Sequence, residues 1–448
     1  MDSSSSEFDK KYNIVDAVTP KHIPLSGRYK KSFAYHTLKE RLPVILTQII
    51  DSLTKEKDEI SEKYQGEETR EEIKNIVGQI SKLKYQLQTD KPFEHFQGIE
   101  PDQELWNSFI DALPENGRSF YQTAWLYGEC YMYRKVFSFF ENSQTLKTYD
   151  YFFKQKAKAL AMDEVAAIAK RLRSTDKSYE TFSRLLKLNL WGNKCDLSII
   201  IPTNFDPNQN VYDNCTKFDD HILVDNSKSI WECLVSADQT KPVIVDFVLD
   251  NAGFEFYTDL ILAEFLLEKN LATKVRFHVK PMPWFVSDVT PADFQYTFEY
   301  LSNHDLSYLK EQGQRWKQYV TEGKFQLANL SYFWCSPIEY YKMREVDLQL
   351  FQYLSEAHLI IFKGDLNYRK LVGDMNWDPT DDFLTCLRGF QPTNLCTLRT
   401  VKADVICGLK QGKAEELSRL NPKWMETGEY GLIKYMETSQ CSCSHDGK

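Results

Sequence analysis

Two hydrophobic rhythms divide the chain. From about Ser32 to Lys187 apolar residues recur at three-to-four spacing between charged faces, the period of amphipathic helices. Ile73, Ile76, Val77, Ile80, Leu83 and Leu87 form one such stripe, which must pack against something. A further helical stretch, Ser119 to about Phe140, is crowded with Trp125, Tyr127, Tyr131, Tyr133, Phe137, Phe139 and Phe140, a pattern more often core than ligand platform. Near Leu188 the texture changes. Short β-branched runs then alternate with helical patterns: Leu197 to Pro202, His221 to Val224, Val243 to Leu249, Lys274 to Val279, Phe325 to Leu330, Leu359 to Phe362, Val401 to Ile406 and Leu432 to Tyr435. Amphipathic stretches such as Glu255 to Glu268, Glu345 to Ser355 and Ala414 to Leu420 lie between several of them. This alternation predicts an α/β fold with a largely parallel, doubly wound sheet and helices on both faces. A helical N-terminal domain, residues 1–190, is expected to precede an α/β catalytic domain, residues 191–448.

Composition narrows the function. The 448 residues, 42% hydrophobic and 27% charged, suffice for one large core or two joined ones. A formal net charge of -9 argues against direct nucleic-acid binding, which needs a basic face. No apolar run approaches the roughly 20 residues that cross a bilayer, and the opening MDSSSSEFDKK lacks the order of a secretory signal. A cytoplasmic protein, with a nuclear pool also allowed, is expected. The 10 cysteines lie singly apart from Cys441 and Cys443, without zinc-motif spacing, as in a reducing compartment.

The candidate chemistry sits where strands give way to turns. Val243 to Leu249 is apolar enough to be a central strand, and it runs into Asp250-Asn251-Ala252-Gly253-Phe254-Glu255 and then a helical pattern. Open α/β sheets place ligands at such strand–turn–helix junctions. The next strand leads through two stiffening prolines, Pro281 and Pro283, to Phe285-Val286-Ser287-Asp288. Two carboxylates and an amide oxygen, from Asp250, Asp288 and Asn251, are hard donors suited to Mg²⁺ or Mn²⁺. A blander reading of each is open: Asp250 and Asn251 as turn formers, Glu255 as a helix-dipole partner, Asp288 as a helix cap. Two later segments favour the metal. Leu359 to Phe362 is followed by Lys363-Gly364-Asp365-Leu366-Asn367-Tyr368-Arg369, and Arg399-Thr400-Val401-Lys402 puts a cationic pair and a hydroxyl at a strand expected to be buried, where a bound anion would account for them.

Asp-Asn-Ala-Gly-Phe-Glu, Phe-Val-Ser-Asp-Val-Thr, Gly-Asp-Leu-Asn-Tyr-Arg and Arg-Thr-Val-Lys, taken in that order, make the chain similar over nearly its whole length to the metal-dependent damage-control phosphatases, in the branch with an Arg-Thr-x-Lys motif. The resemblance implies a hydrolase of small phosphorylated metabolites, with fructose 1-phosphate and fructose 6-phosphate favoured and Mn²⁺, Ni²⁺, Co²⁺ or Mg²⁺ as cofactor. It implies metal ligation by Asp250, Asn251 and Asp288, and substrate contacts from Glu255 and from Asp365, Leu366, Asn367, Tyr368 and Arg369. Lys402 becomes a phosphate contact supported by Arg399 and Thr400. Neither a Cys-x5-Arg loop nor a strand-following Asp-x-Asp is present, so direct attack by an activated water is expected. The rivals are a protein carboxyl methyltransferase using S-adenosylmethionine, against which a turn with the single glycine Gly253 argues, and a non-catalytic protein docking through its aromatic helices.

Overall fold

A computed structural model describes residues 6–172, 176–192 and 215–438. The strand expected at Leu197 to Pro202, the Cys441–Cys443 tail and most of the serine run at positions 3 to 6 lie outside the described residues.

Among the described residues seven strands form one sheet: β1 (Ile222–Asp225), β2 (Ile244–Val248), β3 (Lys274–His278), β4 (Phe325–Leu327), β5 (Leu359–Lys363), β6 (Leu395–Thr400) and β7 (Gly431–Met436). Their order is β1-β7-β6-β5-β2-β3-β4, and every pairing is parallel except β6 with β7. From β2 the chain steps to β3 and β4 on one side, then returns to place β5 on the other. The carboxyl ends of β2 and β5 therefore flank a topological switch point, where crossover connections diverge and leave a crevice.

Side chains alternate across the sheet, so one strand feeds two cores. Val245 and Phe247 of β2 and Leu359 and Ile361 of β5 point into one, while Val248, Ile360 and Phe362 point into the other. The second of these faces packs on the helix Gly364–Leu371 and belongs to the same core as the helices Leu42–Lys55, Glu67–Gln88, Gln103–Ala112 and Trp125–Glu141. The expected stripe is in place, with Ile73, Ile76, Ile80, Leu83 and Leu87 buried. The first face is covered by the helices Tyr179–Trp191, Phe254–Glu268 and Pro291–Ser302. Leu185, Leu186, Leu188 and Leu190, which precede residue 191, thus share a core with the sheet.

Three expectations need correction. Val401 to Ile406 is not a strand: its β-branched residues belong to a loop, and β6 ends at Thr400. Glu255 to Glu268 is not amphipathic, because the helix is buried on all sides from Phe254 to Leu266. The aromatic stripe, by contrast, is core as expected: Trp125, Tyr131, Tyr133, Phe137 and Phe140 are buried, with Tyr127 and Phe139 partly so. β4 is shorter than expected, stopping at Leu327 on the sheet's edge.

Candidate active site at the β2–β5 switch point

The site grows out of the end of β2. After Val248 the chain meets a returning segment in an antiparallel bridge, Asn251 opposite Asp288. The Val289 N–H donates to the Asp250 carbonyl at 2.8 Å, and the Ala252 N–H to the Ser287 carbonyl at 2.7 Å. These bonds bring Asp250, Asn251 and Asp288, from two different connections, onto adjacent backbones. Gly253 then turns the chain into its helix with φ 75°, a conformation that suits a residue without Cβ. A Cβ there would also lie 2.7 Å from that of Ala159.

The segment carrying Asp288 is held in an unusual shape. Phe285 and Val286 both have positive φ, 42° and 73°, which is costly for a β-branched or bulky residue and needs surrounding support. Tyr133 supplies some of that support from the aromatic helix, stacking on Phe285 with centroids 4.6 Å apart. The helical part of the chain thereby braces the loop that presents Asp288.

Electrostatics at this point are unfavourable to a bare protein. Asp250 is 7% exposed and Asp288 2%. Burial, then the charges of Glu255 and Asp288, push the Asp250 carboxyl well above the usual carboxylate range, although Lys280 and Lys402 oppose the shift. Burial likewise lifts Asp288 to about 7 against the pull of Lys280. The Lys280 ammonium forms an ion pair with Asp288 Oδ2 at 3.5 Å while donating its hydrogen bond to the Leu249 carbonyl at 3.1 Å, so among the described residues Oδ2 is buried without a hydrogen bond. Asn251 Nδ2 donates to Asp250 Oδ2 at 2.8 Å and to Glu255 Oε2 at 2.7 Å, and the Ser287 hydroxyl donates to Asn251 Oδ1. Among the described residues no three His, Cys, Asp or Glu side chains form a metal-holding group by themselves. A cation here would draw on the Asn251 amide oxygen as well as the two carboxylates, which matches the hard-donor set.

Opposite, β5 ends at Lys363 and the chain enters the Gly364–Leu371 helix. Asp365, only partly exposed, accepts from Arg399 Nε at 2.8 Å and from the Lys402 N–H at 3.2 Å through the same oxygen. Arg399 is fully buried and also donates to the carbonyls of Val405 and Ala403, so it folds the loop after β6 back on itself. Thr400 is buried at the strand's end, and Lys402 stands half-buried just beyond it. Asp250, Asn251, Glu255, Asp288, Asp365 and Lys402 are thus assembled around one crevice.

Four residues of the expected substrate stretch are committed elsewhere, because that stretch is a helix with one face outward. Leu366 and Tyr368 are core residues. Asn367 Nδ2 donates to the carbonyls of Val248, Leu249 and Lys363, and its Oδ1 accepts from the Tyr340 hydroxyl. Arg369 pairs with Asp374 and Glu129, both at 2.7 Å, and lies over the Trp125 ring. Sequence reasoning also passed over Lys280, Ser287, Lys363 and Asp259. Lys280 and Lys363 closing apolar strands, and Asp259 four residues after Glu255 on one helix face, were the available signals.

Clustered buried carboxylates with an amide between them and a lysine nearby form a group of the kind found at functional sites, suited to binding charged ligands. Comparison with known proteins agrees. The sequence pattern of the damage-control phosphatase ARMT1-like domain matches residues 37–417, and the chain belongs to that family. Phosphatase chemistry on small phosphorylated metabolites follows from this membership. Among curated relatives, "Damage-control phosphatase ARMT1" of Danio rerio is 39% identical over 432 residues, covering 92% of this chain and 96% of its own length. The Homo sapiens protein of the same name is 39% identical over 440 residues, covering 94% and 99%. A crystal structure of a DUF89 family protein from Pyrococcus horikoshii aligns with a TM-score of 0.45 and 18% identity, over 86% of this chain and 94% of that one. Among the described residues, no helix is long and apolar enough to cross a membrane.

Proposed function

We propose that this crevice is a divalent-metal-dependent phosphatase centre acting on small sugar phosphates, with fructose 1-phosphate and fructose 6-phosphate as the substrates to test first. The observation that carries the reading is the pair Asp250 and Asp288, two buried carboxylates held side by side with one oxygen lacking any hydrogen bond among the described residues. Like charges in such a place are unfavourable unless a proton or a cation joins them, and Lys280, 3.5 Å from Asp288, offsets only part of the effect of burial. Asp250, Asn251 and Asp288 would hold Mn²⁺, Ni²⁺, Co²⁺ or Mg²⁺, and such an ion supplies Lewis acidity for attack of water on the phosphoryl group.

The chain's own residues do the rest. Lys402 stabilises charge gathering on the phosphoryl oxygens. Asp365 keeps one oxygen for Arg399 and the Lys402 backbone, which leaves the other for a sugar hydroxyl and a polar basis for specificity. Arg399 positions both by holding the 403–405 backbone. The S-adenosylmethionine-dependent carboxyl methyltransferase reading fits less well. Gly253 faces Ala159 and the Lys156 carbonyl, which leaves no room beside it for that cofactor, and the carboxylate pair would have no task. The test is phosphate release from a panel of sugar phosphates with and without chelator, beside calorimetry with S-adenosylmethionine. Chelator-resistant hydrolysis, or methyl-donor binding without metal binding, would overturn the proposal.

A further inference from the structure

Behind the crevice lies a buried line of polar side chains that the reaction as described does not use. Lys363, the last residue of β5, donates to Glu255 Oε1 and Asp259 Oδ1, both at 2.8 Å, and to the Asn189 carbonyl at 3.3 Å. Asn189 Nδ2 donates to the same Asp259 oxygen at 2.5 Å. All four side chains are at most 1% exposed. Burial alone would lower the Lys363 pKa, but Asp259 and Glu255 outweigh it and raise it, so the ammonium stays charged. One ammonium thus ties together β5, the helix that starts after Gly253 and the helix Tyr179–Trp191.

The line ends on Asn251. Glu255 has two oxygens: Oε1 is held by Lys363, and Oε2 accepts from Asn251 Nδ2 at 2.7 Å. Asn251 Nδ2 donates to both Glu255 Oε2 and Asp250 Oδ2, which leaves the amide oxygen turned away from them, where it accepts from the Ser287 hydroxyl.

We propose that Lys363, backed by Asp259 and Asn189, is a positioning residue of the metal site: it fixes Glu255 so that Glu255 in turn aims the Asn251 amide oxygen at the bound ion. This rests on the metal-site reading above. Outer partners of this kind orient ligands and tune metal affinity by roughly 10- to 100-fold.

The experiment measures Mn²⁺ affinity by paramagnetic resonance of free Mn²⁺, independent of turnover, with thermal midpoints recorded for each protein. Removing Lys363 alone strands two buried carboxylates, so the working variant is the double change Lys363→Met with Asp259→Asn, which deletes one charge of each sign. It is expected to fold and to weaken Mn²⁺ binding by about 10- to 100-fold. In an Asn251→Ala background the same double change is expected to alter Mn²⁺ affinity less than 2-fold, because its route to the ion is gone; general structural damage would weaken binding equally in both backgrounds. Unchanged affinity, or an equal loss in both backgrounds, overturns the positioning role while leaving the metal site standing. If the double variant does not fold, Glu255→Gln serves in the same two backgrounds, with the same two outcomes. Absence of saturable Mn²⁺ binding by the unaltered protein, or binding unaffected by Asp250→Asn, overturns the metal-site reading itself and the positioning role with it.

Discussion

The carboxylate of Asp250 lies directly against Gly364, where any side chain would overlap it. Gly364 also has φ 83°, so the residue that opens the helix after β5 is chosen twice, for conformation and for space. Gly364→Ala should displace Asp250 and lower metal-supported phosphate release at least about 100-fold, since small misplacements of a reacting group cost that much. Steady-state kinetics on folded variant protein measure this, and an active Gly364→Ala enzyme would show that Asp250 can shift without consequence.

Asp250→Asn separates function from stability. The change replaces a carboxyl whose ionisation is opposed by burial and by its acidic neighbours. Without metal its thermal midpoint should match or exceed that of the parent, while phosphate release falls about 1000-fold or more. Saturating metal should stabilise the parent, by about 2.7 kcal/mol at a hundredfold excess over Kd, and not the variant. Thermal melts with and without Mn²⁺ read both effects, and equal stabilisation of the two proteins contradicts the ligand assignment.

Arg369→Gln should act on the fold. Its guanidinium is buried and paired with Glu129 and Asp374, and breaking such a pair costs about 3–5 kcal/mol because the partner charges stay buried. A lowered unfolding midpoint with near-parental KM in the folded fraction is expected. A raised KM at parental stability would instead place Arg369 on the substrate.

Much of this was legible in the sequence, for identifiable reasons. β2 and β5 are so apolar that their place in the sheet's centre follows from composition, and the loops carrying Asp250 and Asn251, then Asp288, follow from the ends of β2 and β3. What misled was local resemblance between different roles. Val401, Val405 and Ile406 look like a strand, yet they line a loop that Arg399 gathers by its two carbonyl bonds. Residues 365–369 look uniformly polar, but helical geometry sends only part of them to the crevice. No sequence period could show that Lys363 neutralises Glu255 and Asp259, because that contact joins strand to helix across more than a hundred positions.

The loop after β6 is also tied to the chain's beginning, and this tie titrates. Asp404 accepts from the Ser32 hydroxyl and the Phe33 N–H, both at 3.0 Å. Burial nonetheless lifts its carboxyl to about 6. A folded pKa above the unfolded value, about 4, means the proton is held more tightly in the fold. The associated stability is complete below about pH 4 and is lost as pH rises through about 6. Asp404→Asn cannot titrate, so its stability relative to the parent should improve between pH 4 and pH 7 by on the order of 2 kcal/mol. Denaturant unfolding at both pH values measures the difference, and a pH-independent offset would refute it.

The position of β7 constrains how the molecule comes into being. Among the described residues β1 bonds within the sheet only to β7, which is inserted between it and β6 and runs against β6. A nascent chain emerging amino end first can stack β2 to β6 early, but β1 has no partner among the described strands until residues 431–436 leave the ribosome. Any product terminated before Gly431 therefore exposes the open edges of both β1 and β6, and quality control can recognise it by unpaired backbone rather than by a missing catalytic group.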